Sequence, residues 1–571
     1  MKGLVICMAN LIESARLQID ELLRAAHARA VSAGTLEQAE LRGAGSVSKD
    51  GIGGDWASNH ALTSAKALKM RPKELADILV DNLELEGSFF EKAEVAGPGF
   101  INLTLSDHWY EAVLNAIGKD KADYGRSNVG NGERVMVEFV SANPTGPMTI
   151  GNARGGALGD TLAEILSWSG HDVSREFYVN DEGNQIELFG RSIEARYLQL
   201  CLGEDAVEFP EDGYHGEDIR DLAALIRERD GDIYVQMPGE ERRRAFVDFA
   251  LPYNIEKMRA HLERYRIRFD KWFHESELYE TGYVDETLEC LSKAGDTYEK
   301  DGALWLRNTE FGADKDEVMR RANGFFTYYA SDIAYHRNKF IKRGFERVIN
   351  VWGADHHGHA IRFNATMSAP ALGLTDKRLD FIIMQMVRLT RGGETVKVSK
   401  RTGKALTLND LLDEISADAC RFFFNAKPDT HLEFDLDLAV RQDSENPVYY
   451  VQYAHARICS MIKQLASEGY SVPAAADIDT SVLREPQETE LMKQLAFLPE
   501  EIALAARDYD PSRLNRYLMD LAARFHRFYA ACRIRGSEPE VLRARLYLSD
   551  CTRQALANAL GIIGVTAPEA M

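Results

Sequence analysis

The chain has 571 residues, 45% of them hydrophobic and 27% charged, a composition typical of a soluble globular protein with room for about four domains. Its apolar runs fall short of the ~20 residues a bilayer span needs, so no membrane partner is expected. The net charge of −21 argues against a general nucleic-acid coat, but it leaves room for an enzyme that meets nucleic acid at a local basic patch.

Seven cysteines are scattered without a C-x-x-C pair, which points to a reducing cytoplasm and away from a disulfide framework or thiolate zinc site. Residues 1–8 are apolar, but charged residues follow too soon for a secretory signal.

Residues 1–115 read as a small α+β domain. Positions 11–30 have amphipathic helical spacing, and 61–83 continue as helix in two pieces because Pro72 interrupts them. A strand is predicted over 99–105, with Phe100 and Asn102 on one face. An aromatic ring beside an amide can stack on and hydrogen-bond a nucleobase; ordinary strand packing is the alternative. Residues 116–133 are a polar linker.

The α/β core begins at Arg134. Residues 135–140 form a β-branched apolar run suited to a buried parallel strand. Two prolines and a glycine in 141–147 break it. From Ile150 the chain reads as helix, with Leu158, Leu162, Ile165 and Leu166 on one stripe. Gly151, Gly155 and Gly156 in its first turns would let backbone N–H groups approach a phosphate, which the helix dipole favours; a plain α/β crossover would also accept them. A second strand is predicted over 173–179. Residues 181–299 are acidic and mostly helical in pattern, read as an insertion over about 185–300. The core resumes with an aromatic segment at 325–336 and a strand at 347–352. Residues 371–440 connect it to a helical domain, 441–571, with helices expected over 447–466, 488–505, 513–531 and 543–560. That domain has fifteen basic and seventeen acidic residues, so most of the negative charge lies upstream. Nine arginines and four acids between 513 and 553 make a basic island.

Three further stretches carry chemistry. Lys397 and Lys400 flank Val398 and Ser399 in a loop bracketed by Gly392, Gly393 and Gly403, and lysine ammoniums pair well with phosphate. Gly353-Ala-Asp355-His356-His357-Gly-His359 follows a strand. Its three histidines admit a metal reading, but the end of a parallel strand is equally a nucleotide or substrate site. Tyr328 and Asp332 share a helix face. Joined by Glu138, they could hold a guanidinium, whose fork matches carboxylates.

Together these stretches resemble the class I aminoacyl-tRNA synthetases, and among them the arginyl-tRNA synthetases, over nearly the whole chain. SANPTGPMTIGN resembles the family's ATP-binding signature and KVSKR its mobile lysine loop. VEFVSANPTGP, FYVNDEGNQIE, GADHHG, NPVYYVQYAHAR and the closing GVTAPEAM are further points of similarity. The resemblance implies an α/β multidomain fold: an N-terminal α+β domain binding the tRNA corner (1–115), a Rossmann-like parallel-sheet catalytic domain (116–370), a lysine-loop connector (371–440) and an all-α anticodon-binding bundle (441–571). It implies that ATP and L-arginine give arginyl-adenylate, which the 2′-OH of the tRNA(Arg) terminal adenosine then attacks.

By the same resemblance, Thr149, Asn152, Lys397 and Lys400 are the catalytic positions, and Pro147, Gly151, Asn152, Gly353, Asp355, His359, Lys397, Ser399 and Lys400 bind ATP. Glu138, Ser141, Asn143, Tyr328, Asp332 and His356 bind arginine, and Phe100 and Asn102 read tRNA. Mg²⁺ is expected with ATP, without a protein metal site of its own. A cytoplasmic monomer is expected. One position departs from the pattern: Thr149 stands where the signature has its first histidine, a phosphate donor whose loss typically costs on the order of 10²–10³ in rate. Three readings follow: the arginine ligase, a ligase of the same class for another amino acid, and a weakly active or non-catalytic tRNA-binding paralogue. The acidic pocket opposes the second, because neutral substrates would leave its carboxylates unpaired.

Overall fold

The structure, a computed structural model, describes residues 10–48, 53–396, 406–428 and 430–571. The chain divides into two compact units. One comprises residues 1–129, 442–562 and 566–571; the other comprises 130–441 with 563–565. Among the described residues no helix is long and apolar enough to cross a membrane.

In the first unit the strand Phe100–Leu105 pairs antiparallel with Trp56–Ser58 and Phe90–Ala96. Its alternation buries Ile101, Leu103 and Leu105 while Phe100 stays 40% exposed, so Phe100 and Asn102 share the outer face. The helix Leu11–Ser32 runs two residues beyond the predicted stretch, and Pro72–Asp81 lies within the second one. Five long helices follow in the same unit: Pro447–Ser467, Pro486–Ala496, Leu498–Asp508, Ser512–Ala531 and Pro539–Ile562. The second predicted helix is divided at Phe497, because Pro499 lacks the N–H a continuous helix would use and is accommodated in the first turn of the next one. Lys493 pairs with Asp55 at 2.6 Å, and the Tyr124 hydroxyl donates to the Leu495 carbonyl, joining the N-terminal segment to these helices. Much of the basic island is paired: Arg513 with Glu501, Arg516 with Asp510, Arg545 with Glu488 and Arg553 with Asp550.

The second unit is built on a five-stranded sheet in the order Arg378–Met384, Arg347–Gly353, Arg134–Glu138, Asp172–Val179, Lys271–His274. All four pairings are parallel. Both outer strands come from stretches the sequence assigns elsewhere, one from the insertion and one from the connector. Across the middle of the sheet Asn350, Glu138 and Glu176 are register partners and lie side by side. The helices Asn184–Leu202, Glu217–Asp230 and Gly239–Arg264 pack around their own core, which includes Phe189, Tyr197, Leu222 and Phe246.

The signature helix, Ile150–Trp168, is buried along most of its length. Its glycines do two jobs. Gly151 lies at the exposed start, with no heavy atom but the Thr149 hydroxyl near a would-be Cβ. Gly156 and Gly159 serve packing instead: a Cβ on Gly159 would lie 2.2 Å from the Phe139 ring, and one on Gly156 2.7 Å from Ile267. Gly156 thus packs against the segment that precedes the outer strand Lys271–His274.

Candidate active site

A cavity of about 1000 Å³ opens at the carboxyl ends of the parallel strands, where open α/β sheets hold their ligands. Glu138, Ser141, Asn143, Pro147, Thr149, Gly151, Asn152, Tyr328, Asp332, Gly353, Asp355, His356 and His359 all line it. Phe100 and Asn102 belong to the other unit. Lys397, Ser399 and Lys400 lie outside the described residues.

The chain enters the cavity through a strained turn. Val140 and Ser141 both have positive φ, 69° and 38°, and a β-branched residue in that region costs on the order of 1–3 kcal/mol. The turn brings the Ser141 hydroxyl back to donate to Glu138 Oε1 at 3.0 Å and to accept from the Tyr178 N–H at 3.2 Å. Asn254 of the insertion donates to the Pro144 carbonyl and holds the signature loop from the side.

Thr149 is the N-cap of the signature helix, in a reciprocal capping box with Asn152. Its hydroxyl donates to Asn152 Oδ1 at 2.9 Å and accepts from the Asn152 N–H. The Thr149 N–H also donates to Asn152 Oδ1, at 2.8 Å. The threonine proton is therefore committed to the cap, and the Asn152 NH₂ is the donor left for a ligand. The start of this helix is tied to the rest of the unit by Arg154, which is buried and donates to the carbonyls of Gln385, Met386, Lys427, Pro428 and Thr430.

The acidic end is set by the helix Tyr328–Arg337, which turns Tyr328 and Asp332 toward the cavity one turn apart. Asp332 meets His359 Nε2 at 3.0 Å, and burial raises its carboxyl while that contact opposes the rise. Glu138 is ion-paired with the fully buried Lys339, which donates to it at 2.5 Å. Glu275, absent from the sequence-based set, lines the same wall and is only 6% exposed. Burial, with help from Asp332 and Asp181, pushes its pKa up to about 7, against hydrogen bonds from Ser331 and Tyr178. It follows the outer strand Lys271–His274, and only recognition of that strand would have singled it out.

On the segment that carries His359, Gly353 makes room for Asp355, whose Oδ1 would lie 2.5 Å from any Cβ there. Asp355 is well exposed and sits 3.5 Å from His356 Nε2. Trp352 packs beside His356 and His359. Among the described residues no group of three or more His, Cys, Asp and Glu is arranged to hold a metal ion.

A cavity with a capped helix start on one side and several carboxylates on another suits a ligand that is anionic at one end and cationic at the other. Three family profiles match in series: "Arginyl tRNA synthetase N terminal domain" at residues 18–105, "tRNA synthetases class I (R), catalytic domain" at 113–457 and "DALR anticodon binding domain" at 451–571. The chain is 51% identical over 566 residues to an arginine–tRNA ligase of Acetivibrio thermocellus, covering 99% of this chain and 100% of that one. It is 54% identical over 519 residues to an arginine–tRNA ligase of Ruminiclostridium cellulolyticum, covering 91% and 92%. The fold matches that of the Thermus thermophilus arginyl-tRNA synthetase with a TM-score of 0.71 at 23% identity, over 97% of this chain and 100% of that one. Full-length identity of this order, with three family domains in their proper sequence, makes the chain a member of the arginyl-tRNA synthetases, within the class I aminoacyl-tRNA synthetases.

Proposed function

We infer that the chain is an arginine–tRNA ligase, which activates L-arginine with ATP and transfers it to the 2′-OH of the tRNA(Arg) terminal adenosine. The observation that carries this reading is one cavity with the start of the signature helix at one wall and Asp332, Glu275 and Tyr328 at another. The helix N-terminus attracts the triphosphate, and the carboxylates accept a guanidinium in bidentate fashion.

The residue roles follow the chemistry of each wall. Pro147, Gly151 and Asn152 hold the phosphate side of ATP, and Gly353, Asp355 and His359 its ribose. Ser141, Asn143 and His356 take the amino-acid end of arginine, while Glu138, Tyr328, Asp332 and Glu275 take its guanidinium. Lys397, Ser399 and Lys400 supply the positive charge that meets the departing pyrophosphate. Catalysis is then electrostatic stabilisation of a phosphoryl transition state, with no protein nucleophile. Mg²⁺ enters with the nucleotide, held chiefly by its phosphates as is usual for this ion. Phe100 and Asn102 contact an unpaired tRNA base, and activation of arginine depends on bound tRNA. The enzyme works as a monomer in the cytoplasm.

Thr149 raises the question of rate. Its hydroxyl is part of the helix cap, so the phosphate meets Asn152 and the backbone N–H groups in place of an imidazole. ATP–pyrophosphate exchange dependent on arginine and tRNA, run on this chain and on Thr149→His, tests the reading. Exchange by the parent chain supports the ligase. No exchange even at high enzyme concentration, with tRNA affinity retained, would favour the non-catalytic paralogue.

A further inference from the structure

Beneath the acidic end of the cavity lies the ammonium that pairs with Glu138. Lys339 is 0% exposed and sits in the π-helical turn Asn338–Lys342 that closes the Tyr328–Arg337 helix. Such turns inside α-helices recur at functional sites. Its three N–H bonds have three acceptors: Glu138 Oε2 at 2.5 Å, Asn350 Oδ1 at 3.2 Å and His336 Nε2 at 3.3 Å. Asn350 Nδ2 donates to the same His336 nitrogen at 2.7 Å, and Nδ1 donates to the Asp332 carbonyl at 2.9 Å. These bonds require a neutral imidazole beside a charged lysine. Burial holds the His336 ring well below its usual pKa, which agrees. The Tyr335 ring, 4.1 Å from Nζ, adds a cation–π contact.

A fully satisfied charge at this depth is costly to build and more costly to break. Its contacts touch the central strand through Glu138, the next strand through Asn350, and, by way of His336, the helix that carries Asp332. The pair faces other charged groups on every side. Glu176 on the neighbouring strand is held by Arg343 and Tyr335, and Asp332 is held by His359.

We propose that Lys339 is a positioning residue for arginine: it holds the Glu138 carboxylate by Oε2, with Oε1 turned to Ser141, so that this carboxylate joins Tyr328 and Asp332 in a fixed guanidinium pocket. This rests on the assignment of Glu138 to the arginine pocket.

The test uses full-length Lys339→Met, Glu138→Gln and the double variant, with KM for arginine and for ATP measured by tRNA-dependent pyrophosphate exchange between pH 6 and 9. Retained tRNA binding is the folding control. Lys339→Met should raise the arginine KM about tenfold, leave the ATP KM within about twofold, and make the arginine KM fall as pH rises, because an unpaired buried carboxyl holds its proton near neutrality. In the Glu138→Gln background the lysine change should add nothing further, and this arm carries the test if the single variant does not fold. An arginine KM and pH profile unchanged by Lys339→Met, beside an effect of Glu138→Gln, would overturn the role of Lys339 alone. Equal rises in both KM values, or a further tenfold rise in the double variant, would also overturn it. An arginine KM unmoved by Glu138→Gln would overturn the pocket assignment beneath it.

Discussion

Glu275 and Thr149 show how single side chains set the behaviour of the site. With its carboxyl pushed up to about 7 by burial, Glu275 is charged only above neutrality, and a guanidinium needs the charged form. In the free enzyme kcat/KM for arginine should therefore rise with pH up to about 7 and then level, since that profile reports free-enzyme groups. Glu275→Gln should remove this limb and lower kcat/KM for arginine by about 10–100-fold, the worth of one charge-assisted hydrogen bond of about 1.5–3 kcal/mol. A pH series at saturating ATP reads both effects. Thr149 caps a helix, so Thr149→Val, which keeps the shape and loses the hydroxyl, should cost about 1 kcal/mol in a denaturation experiment. Thr149→Ser should cost little. Neither Glu275 nor Lys339 is legible as a site residue in the sequence, because a lone glutamate and a lone lysine carry no spacing. What singles them out is burial beside other charges, and that appears only once distant strands meet.

The signature helix is the element most exposed to small changes. Gly159→Ala would put a Cβ 2.2 Å from the Phe139 ring, and forced overpacking of this kind typically costs ~1–3 kcal/mol; thermal unfolding should register it, while Gly151→Ala should leave stability nearly unchanged. Arg154→Met leaves five carbonyls without their guanidinium. It should destabilise by about 3 kcal/mol or more, as leaving several buried acceptors without a donor does at about 1–3 kcal/mol each, read as a lower denaturation midpoint. The strand, broken loop and helix over 134–168 were legible because apolar run, prolines and 3.6-residue spacing follow one another without conflict. The two outer strands of the sheet were not. Lys271–His274 is four residues long and half polar, and Arg378–Met384 is reached through the helix His357–Met367, whose histidine- and glycine-bearing start does not read as a crossover helix. Pro499 gave a legible break that the helical spacing of 488–505 concealed.

At the scale of the whole molecule, sequence order hides the fact that residues 1–129 share a compact unit with the C-terminal helices. Contacts such as Lys493–Asp55 and Arg16–Glu500 join segments more than 400 residues apart, a distance no local pattern spans. The basic island likewise looked free in sequence, yet Glu501 and Glu488 from outside it meet Arg513 and Arg545. In this unit Phe100 remains outward. Phe100→Ala should raise the KM for tRNA by roughly 5–100-fold, the worth of one stacked base at ~1–3 kcal/mol, without moving the KM for ATP. The account as a whole rests on one cavity serving a nucleotide and a guanidinium together, and the most direct measurement is charging of total tRNA by the full-length chain with ATP and each of the twenty amino acids in turn. Arginine alone should become esterified to tRNA, with AMP released in equal amount. Charging with a different amino acid, or tRNA binding with no AMP formed, would contradict it.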